Sequence, residues 1–364
     1  MTSARCAVLR GTDQEFQIET VSLEAPRAGE ALIRIAGAGL CHTDLLPRTG
    51  MFGPSFLPAI LGHEGSGVIE EVGPGVSDLR PGDHVVLTFD TCGECDNCRS
   101  GQPAVCVRFE ALNVGARRPD GSGCATDADG AALLSRWFAQ SSFGEYSIAT
   151  TRNMVKVDPD APLHLLGPLG CGLQTGAGAV LNQLRLAPDQ SIVIFGAGAV
   201  GLAALLAARL SGAREIVAVD LNSSRRELAL ELGATRAVDG ADPDLAKVIT
   251  GGGAGFDFSI DTTGVGSAMA AAVAVLRRPG SCILVGSGRD NLDVHPAALI
   301  GKWVTFGYEG GSVPHLFIPR LIRLWQAGLF PFDKIIKTFP LADINRAEAE
   351  SRAGGAVKPV LLMD

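Results

Sequence analysis

The chain has 364 residues, and at roughly 150 per domain this length predicts two domains, each with room for its own core. Lys plus Arg number 31 against 39 for Asp plus Glu, and the net charge of -8 has the wrong sign for a surface that binds nucleic-acid phosphates. Charge and apolar content are those of a globular protein, but 46 glycines exceed the usual share of about 7% and point to tight turns and close backbone approaches.

The first sixteen residues hold no apolar run of the length a secretory leader needs and carry Arg5, Arg10, Asp13 and Glu15, so a cytoplasmic protein is expected. Short strands are predicted over 31–35, 67–72 and 84–87, punctuated by Gly73-Pro74-Gly75 and Pro81-Gly82-Asp83, which makes this half mostly β. The uncharged stretch 190–208 approaches the length of a membrane span, but three glycines near its middle and a change of period argue against one. From Ser191 the pattern alternates: strands over 192–195, 216–219, 256–260 and 282–285, with helices over 199–210, 225–232 and 268–276. Strands alternating with helices of that length predict parallel βαβ units. The last segment predicts an apolar helix over 317–325, an amphipathic one over 343–352 and a terminal strand over 357–363.

Three constellations carry chemistry. Cys92, Cys95, Cys98 and Cys106 fall within fifteen residues, which in a cytoplasmic chain points to a metal rather than disulfides. Four soft thiolates suit a structural zinc with no open position, whereas a ferredoxin run brings its fourth Cys after three residues, followed by Pro. A second set is dispersed: Cys41-His42-Thr43-Asp44, Gly62-His63-Glu64 and Gly170-Cys171-Gly172. Each piece alone fits ordinary packing, but two Cys and one His make a three-ligand zinc set whose fourth position stays open for chemistry. The third is a strand running through Gly196, Gly198 and Gly201 into a helix, the turn that seats a dinucleotide pyrophosphate on a helix N-terminus. Asp220, nineteen residues after Gly201, ends the next strand, where a carboxylate binds a ribose diol and repels a 2'-phosphate, favouring NAD over NADP. Cys6, Cys124 and Cys282 have no assigned task.

With Gly170-Cys-Gly-Leu-Gln-Thr175 and Gly355-Ala-Val-Lys358-Pro added, these motifs occur in the order in which the zinc-dependent medium-chain alcohol dehydrogenases carry them. The chain resembles that family over nearly its whole length. Arg117-Arg-Pro-Asp-Gly121, Gln140-Ser-Ser-Phe143, Ser312-Val-Pro and Phe317-Ile-Pro-Arg320 look most like its bacterial aryl-alcohol (benzyl alcohol) branch. The resemblance implies an α/β protein: a GroES-like, mostly-β catalytic domain (1–173 and 309–364) and a Rossmann doubly wound parallel-sheet cofactor domain (174–308).

It implies NAD and two zincs per chain. Cys41, His63 and Cys171 would hold the catalytic ion, Asp44 would orient His63, and Glu64 would approach the metal transiently. Thr43 would take the alcohol's proton. Leu46 stands where relatives often end their relay on a histidine. His42, Arg225 and Lys358 would meet the cofactor as cations, and Thr175 and Val285 would border the nicotinamide. Lys358 replaces the more usual Arg and loses a bidentate phosphate contact. Phe89, Trp137, Phe138 and Tyr308 would line a flat apolar substrate pocket.

Glu110 replaces the Arg of the branch that oxidises a glutathione adduct, which disfavours that substrate. The long segment between Cys106 and Cys171 matches dimeric members, so a homodimer paired through the Rossmann sheets is expected, with a tetramer as the alternative. The expected reaction is reversible oxidation of a primary aryl or allylic alcohol to the aldehyde by NAD, with no nucleic-acid or membrane partner. Two other readings stand beside it: a broad aliphatic or terpenoid (geraniol-like) alcohol dehydrogenase, and a non-catalytic nucleotide-binding scaffold.

Overall fold

The computed structural model describes residues 1–288 and 290–363. The chain divides into two compact units, one of Met1–Cys171, Val313–Arg320 and Ile336–Asp364, the other of Gly172–Ser312 and Leu321–Ile335. The sequence expectation had assigned all of 309–364 to the first. The turn Phe332–Ile335 packs instead against the helix Ala199–Leu210, burying Phe330 and Phe332 completely.

The first unit is built on two sheets. One orders Ala59–Ile60, Thr2–Leu9, Gln17–Leu23, Ala125–Thr126 and Ala132–Leu133. The other orders Met154–Lys156, His84–Leu87, Gly65–Val72, Glu30–Gly39, Lys358–Leu362 and Ile336–Pro340, with Tyr146–Thr150 also paired to Glu30–Gly39. Alternating residues such as Ile33, Ile35, Val85, Leu87 and Leu361 point into one apolar core, the period-two pattern of strands with one buried face. The terminal strand pairs antiparallel with Glu30–Gly39, Val360 opposite Gly39, and so brings its first residues, Lys358 and Pro359, beside Leu40.

The second unit carries six parallel strands in the order Arg236–Asp239, Glu215–Asp220, Ser191–Phe195, Phe256–Asp261, Leu276–Leu284 and Lys302–Phe306. This is the doubly wound dinucleotide order, with its reversal at Ser191–Phe195. The helix Ala199–Leu210 lies where the pattern predicts it. Leu276 does not end the preceding helix; that helix stops at Ala274, and Leu276 opens a strand by pairing with Phe256. The strands Arg236–Asp239 and Lys302–Phe306 escape the sequence reading because both are short and largely unburied, leaving no apolar run. No described helix is long and apolar enough to cross a membrane.

A buried ion pair ties the first unit's sheet to the loop beyond residue 115. Arg118 donates to both oxygens of Glu30, at 2.7 and 2.8 Å, and Arg136 lies 3.2 Å from the same carboxylate. Burial pushes Glu30 upward, but the Arg118 bonds and the Arg136 charge hold it below the usual carboxylate range. Its stabilisation is therefore complete above the unfolded carboxyl pKa of about 4.3 and is lost as pH falls through the lower folded value. Glu30→Ala removes the carboxylate that two buried guanidiniums share and should cost about 3 kcal/mol in urea denaturation at pH 7, with the difference from the parent shrinking in acid.

Candidate active site

The four-cysteine loop is assembled locally. Cys92, Cys95, Cys98 and Cys106 bring their sulfurs within 4.8 Å of one another. Sulfur also accepts from backbone: the amide of Cys95 lies 3.4 Å from Cys92 Sγ, and that of Arg108 lies 3.4 Å from Cys106 Sγ. Amides of Cys98 and Val107 pull the Cys95 thiol down to about 6, whereas burial and the hydrogen bond with Cys95 push Cys98 up to about 12. Four sulfurs this close cannot all ionise without a cation among them, and a tetrahedral zinc fits the set.

The second set converges from three separate segments. Cys41, His63, Glu64 and Cys171 place one ligand atom each within 4.8 Å of the others. Cys41 precedes the turn His42–Thr49, and Asp44 at its third position returns a carboxylate oxygen to the Cys41 amide at 3.1 Å, half of a capping box. Gly62 has φ +89°, and a side chain there would strike the Phe143 ring, so only glycine lets the chain turn and present His63. His63 Nδ1 lies 2.7 Å from Asp44 Oδ1, and its Nε2 lies 3.2 Å from Cys171 Sγ. A carboxylate only accepts, so Nδ1 carries a proton and Nε2 is the nitrogen turned to the sulfurs' side, with a lone pair to offer in the neutral imidazole.

Electrostatics fit a cation at this place. Hydrogen bonding with Cys171 holds the Cys41 thiol well below its ordinary value, against burial and aided by the charge of Lys358. Burial works against a charged His63, but the Asp44 carboxylate outweighs it and raises the imidazole well above its usual range. Two sulfurs and one imidazole nitrogen are a borderline-soft donor set of the kind zinc takes.

Lys358 is placed differently from its expected role as a cofactor cation. It is buried, and its ammonium donates to both Glu64 oxygens at 2.9 and 3.0 Å and to the Leu40 carbonyl at 3.3 Å. Those three bonds use all three of its donors. Burial raises Glu64, with the Lys358 charge opposing it. Thr43 Oγ1 lies 3.8 Å from Cys41 Sγ, and His42 is exposed.

Of the four aromatics expected to line a pocket, Phe89, Trp137 and Phe138 are buried in the first unit's core, where Trp137 and Phe138 meet edge-on at 5.2 Å. Trp137 exposes no area, and its indole N–H donates to Asp44 at 3.0 Å, so its ring offers nothing to a substrate. Phe138 stacks on the His63 ring at 4.4 Å, and Phe89 packs against Phe109. Tyr308, in the second unit, is 37% exposed. Sequence reasoning missed Gln140, whose side-chain amide donates to the His63 carbonyl at 2.9 Å and accepts from the Gly65 amide at 3.1 Å. An amide between the apolar Trp137-Phe138-Ala139 and two serines, in a stretch without charge, was the available signal.

In the second unit, a Cβ on Gly201 would sit 1.8 Å from the Gly196 carbonyl oxygen, so the third glycine is what lets the helix close on the strand. Asp220 accepts from the Ala197 amide at 2.7 Å and the Asn222 amide at 2.8 Å, which sets its carboxylate beside the glycine turn. The Arg225 guanidinium flanks Gly198. Thr175 is buried with its hydroxyl 3.5 Å from Glu309, and the Val285 amide donates to the Asp261 carbonyl at 2.8 Å.

Residues 27–159 match the family model of the alcohol dehydrogenase GroES-like domain, and residues 199–321 match that of the zinc-binding dehydrogenases. The chain is 47% identical to a geraniol dehydrogenase of Castellaniella defragrans over 370 residues, covering 99% of this chain and 98% of the relative. It superposes on a zinc-binding-domain alcohol dehydrogenase protein from Burkholderia ambifaria with TM-score 0.96 at 44% identity, over 100% of this chain and 99% of the other. The crystal structure of benzyl alcohol dehydrogenase from Acinetobacter calcoaceticus gives TM-score 0.95 at 39% identity, with both chains covered completely.

The two sulfur sets share no residue, so they should load metal separately. Cys98→Ser and Cys171→Ser are each expected to lose one zinc per chain by metal analysis. Only Cys98→Ser should loosen its loop, because bonds from a structural zinc contribute on the order of 10 kcal/mol to a fold that needs them.

Proposed function

Because this chain belongs to the zinc-dependent medium-chain alcohol dehydrogenase family, we propose that it oxidises primary alcohols whose carbinol carbon adjoins a double bond or aromatic ring, passing hydride to NAD. The chain is an alcohol dehydrogenase with zinc and NAD as cofactors; the activated, allylic or benzylic substrate is our own reading. It is supported by the names of two relatives, since geraniol is an allylic primary alcohol and benzyl alcohol its aromatic counterpart. Loss of the hydroxyl proton and of hydride from the carbinol carbon of either gives an aldehyde conjugated to the neighbouring π system. The observation that carries the reading is the meeting of Cys41, His63 and Cys171 around one point, with His63 already oriented by Asp44.

Cys41, His63 and Cys171 would hold the catalytic zinc, and Cys92, Cys95, Cys98 and Cys106 the structural one. When bound, zinc supplies a Lewis acid that lowers the pKa of an alcohol, and NAD supplies the hydride acceptor. The remaining work falls to the chain. Asp44 fixes the His63 tautomer, as carboxylates commonly do for metal-binding histidines. The Thr43 hydroxyl takes the alcohol's proton, and since Leu46 offers no acceptor, the proton passes from there to water. Lys358 holds Glu64 by both oxygens and so balances the charge of that carboxylate beside the three donors. Gly196, Gly198 and Gly201 would cradle the pyrophosphate with Arg225 alongside, and Asp220 would bind the adenosine ribose.

We place the protein in the cytoplasm, where its thiols stay reduced. We also infer a homodimer joined along Lys302–Phe306, an edge strand of the parallel sheet with Trp303 65% and Phe306 52% exposed.

Two measurements test these readings. The kcat/KM for geraniol and for benzyl alcohol should each exceed that for ethanol at least about tenfold, a margin of the size apolar pocket contacts supply; a preference for ethanol would overturn the substrate class. Light scattering should give twice the 37.7 kDa chain mass for the parent and the single-chain mass for Trp303→Glu.

A further inference from the structure

The Trp137 indole N–H and His63 Nδ1 converge on the same oxygen, Asp44 Oδ1, at 3.0 and 2.7 Å. We propose that Trp137 is a positioning residue: its N–H locks the Asp44 carboxylate, and through it the orientation of the His63 ring toward the metal. The proposal rests on the reading of His63 as a zinc ligand.

Asp44 accepts four hydrogen bonds: Oδ2 takes the Cys41 amide, and Oδ1 takes the Gly62 amide, His63 Nδ1 and Trp137 Nε1. Two of the four donors are backbone groups and hold the carboxylate in place. Both side-chain donors meet on Oδ1, together with the Gly62 amide, so removing the indole donor takes away one of the three groups that fix the oxygen to which His63 is tethered. Both Trp137 and Asp44 expose no surface, so no bulk water stands ready to replace the lost bond.

The indole itself has little freedom. Phe52, Phe56 and Phe138 meet it edge-on, with ring centres 5.6, 5.5 and 5.2 Å away. Its backbone belongs to a turn stitched to the His63 segment: Ser141 Oγ accepts from the Trp137 amide at 2.9 Å and donates to the Ile60 carbonyl at 2.6 Å, while the Ser142 amide donates to the Gly62 carbonyl at 2.9 Å. Phe138, Ala139 and Ser141 all take left-handed φ, at +50°, +55° and +57°, which side chains adopt together only where their surroundings enforce it. What this turn delivers is three grips on one histidine: Trp137 through Asp44, Phe138 on the ring face and Gln140 on the carbonyl.

The test separates the donor from the ring. Replacing Trp137 by β-(3-benzothienyl)alanine keeps two fused rings and puts sulfur where the N–H was; Trp137→Phe removes the donor together with part of the packing. The readouts are the rate at which a chelating dye takes zinc from the three-residue set and the ligand-field absorption of Co(II) loaded there, with the four-cysteine zinc as internal control. The expected result is release faster by about 10- to 100-fold for both variants, shifted Co(II) bands and an unchanged control. In an Asp44→Asn background the benzothienyl replacement should add nothing further. Unchanged release and bands in the benzothienyl protein, with loss only in Trp137→Phe, would reduce Trp137 to packing and overturn the proposal. His63→Ala distinguishes the two levels: retention of both zincs would remove the reading of His63 as ligand, whereas loss of one zinc leaves that reading intact whatever Trp137 does.

Discussion

A buried carboxylate has to be met by donors, and in this protein that requirement organises the chemistry. Asp44 has no surface exposed to water, and burying its charge would be prohibitive without compensation. Its four donors come from the turn it belongs to, from the segment around Gly62 and from an indole ninety-three residues further on. Satisfying this one group therefore fixes three stretches of chain relative to each other, and His63 takes its tautomer and ring direction as a consequence. Cys171 arrives by a separate route, at the end of the short turn Gly167–Gly170, and meets His63 Nε2 at 3.2 Å.

The surroundings of this set balance charge with little slack. The Glu64–Lys358 pair sits beside the thiols, and because Lys358 begins the terminal strand, pairing of that strand with Glu30–Gly39 is what delivers the ammonium. A point charge on a flexible stem has three donors and spends them all here, whereas an arginine would have kept some for another partner. The four-cysteine loop is gathered by local turns and by backbone amides, with Cys106 anchored in the first unit's core.

What could be read from the one-dimensional text follows the range of the interactions involved. The cysteine spacing, the glycine turn with Asp220 and the strand-helix alternation are local, and each reappears in the structure with its neighbours in place. The edge strand Lys302–Phe306 and the bulged start of Leu276–Leu284 are set by pairing with distant strands, so no periodicity announced them. Trp137 and Lys358 have partners that spacing does not announce: an aromatic suggests a pocket wall and a cation suggests a phosphate, yet each bonds a buried carboxylate, Asp44 in one case and Glu64 in the other.

The order of residues by itself determined the class of chemistry, because ligand identity, glycine placement and the acid closing the second parallel strand are properties of side-chain type at short spacing. Only the tertiary structure decided which polar groups stay available for that chemistry. A donor's partner is chosen by proximity in space and by the cost of leaving a buried charge unmatched, and neither quantity exists until the chain has folded.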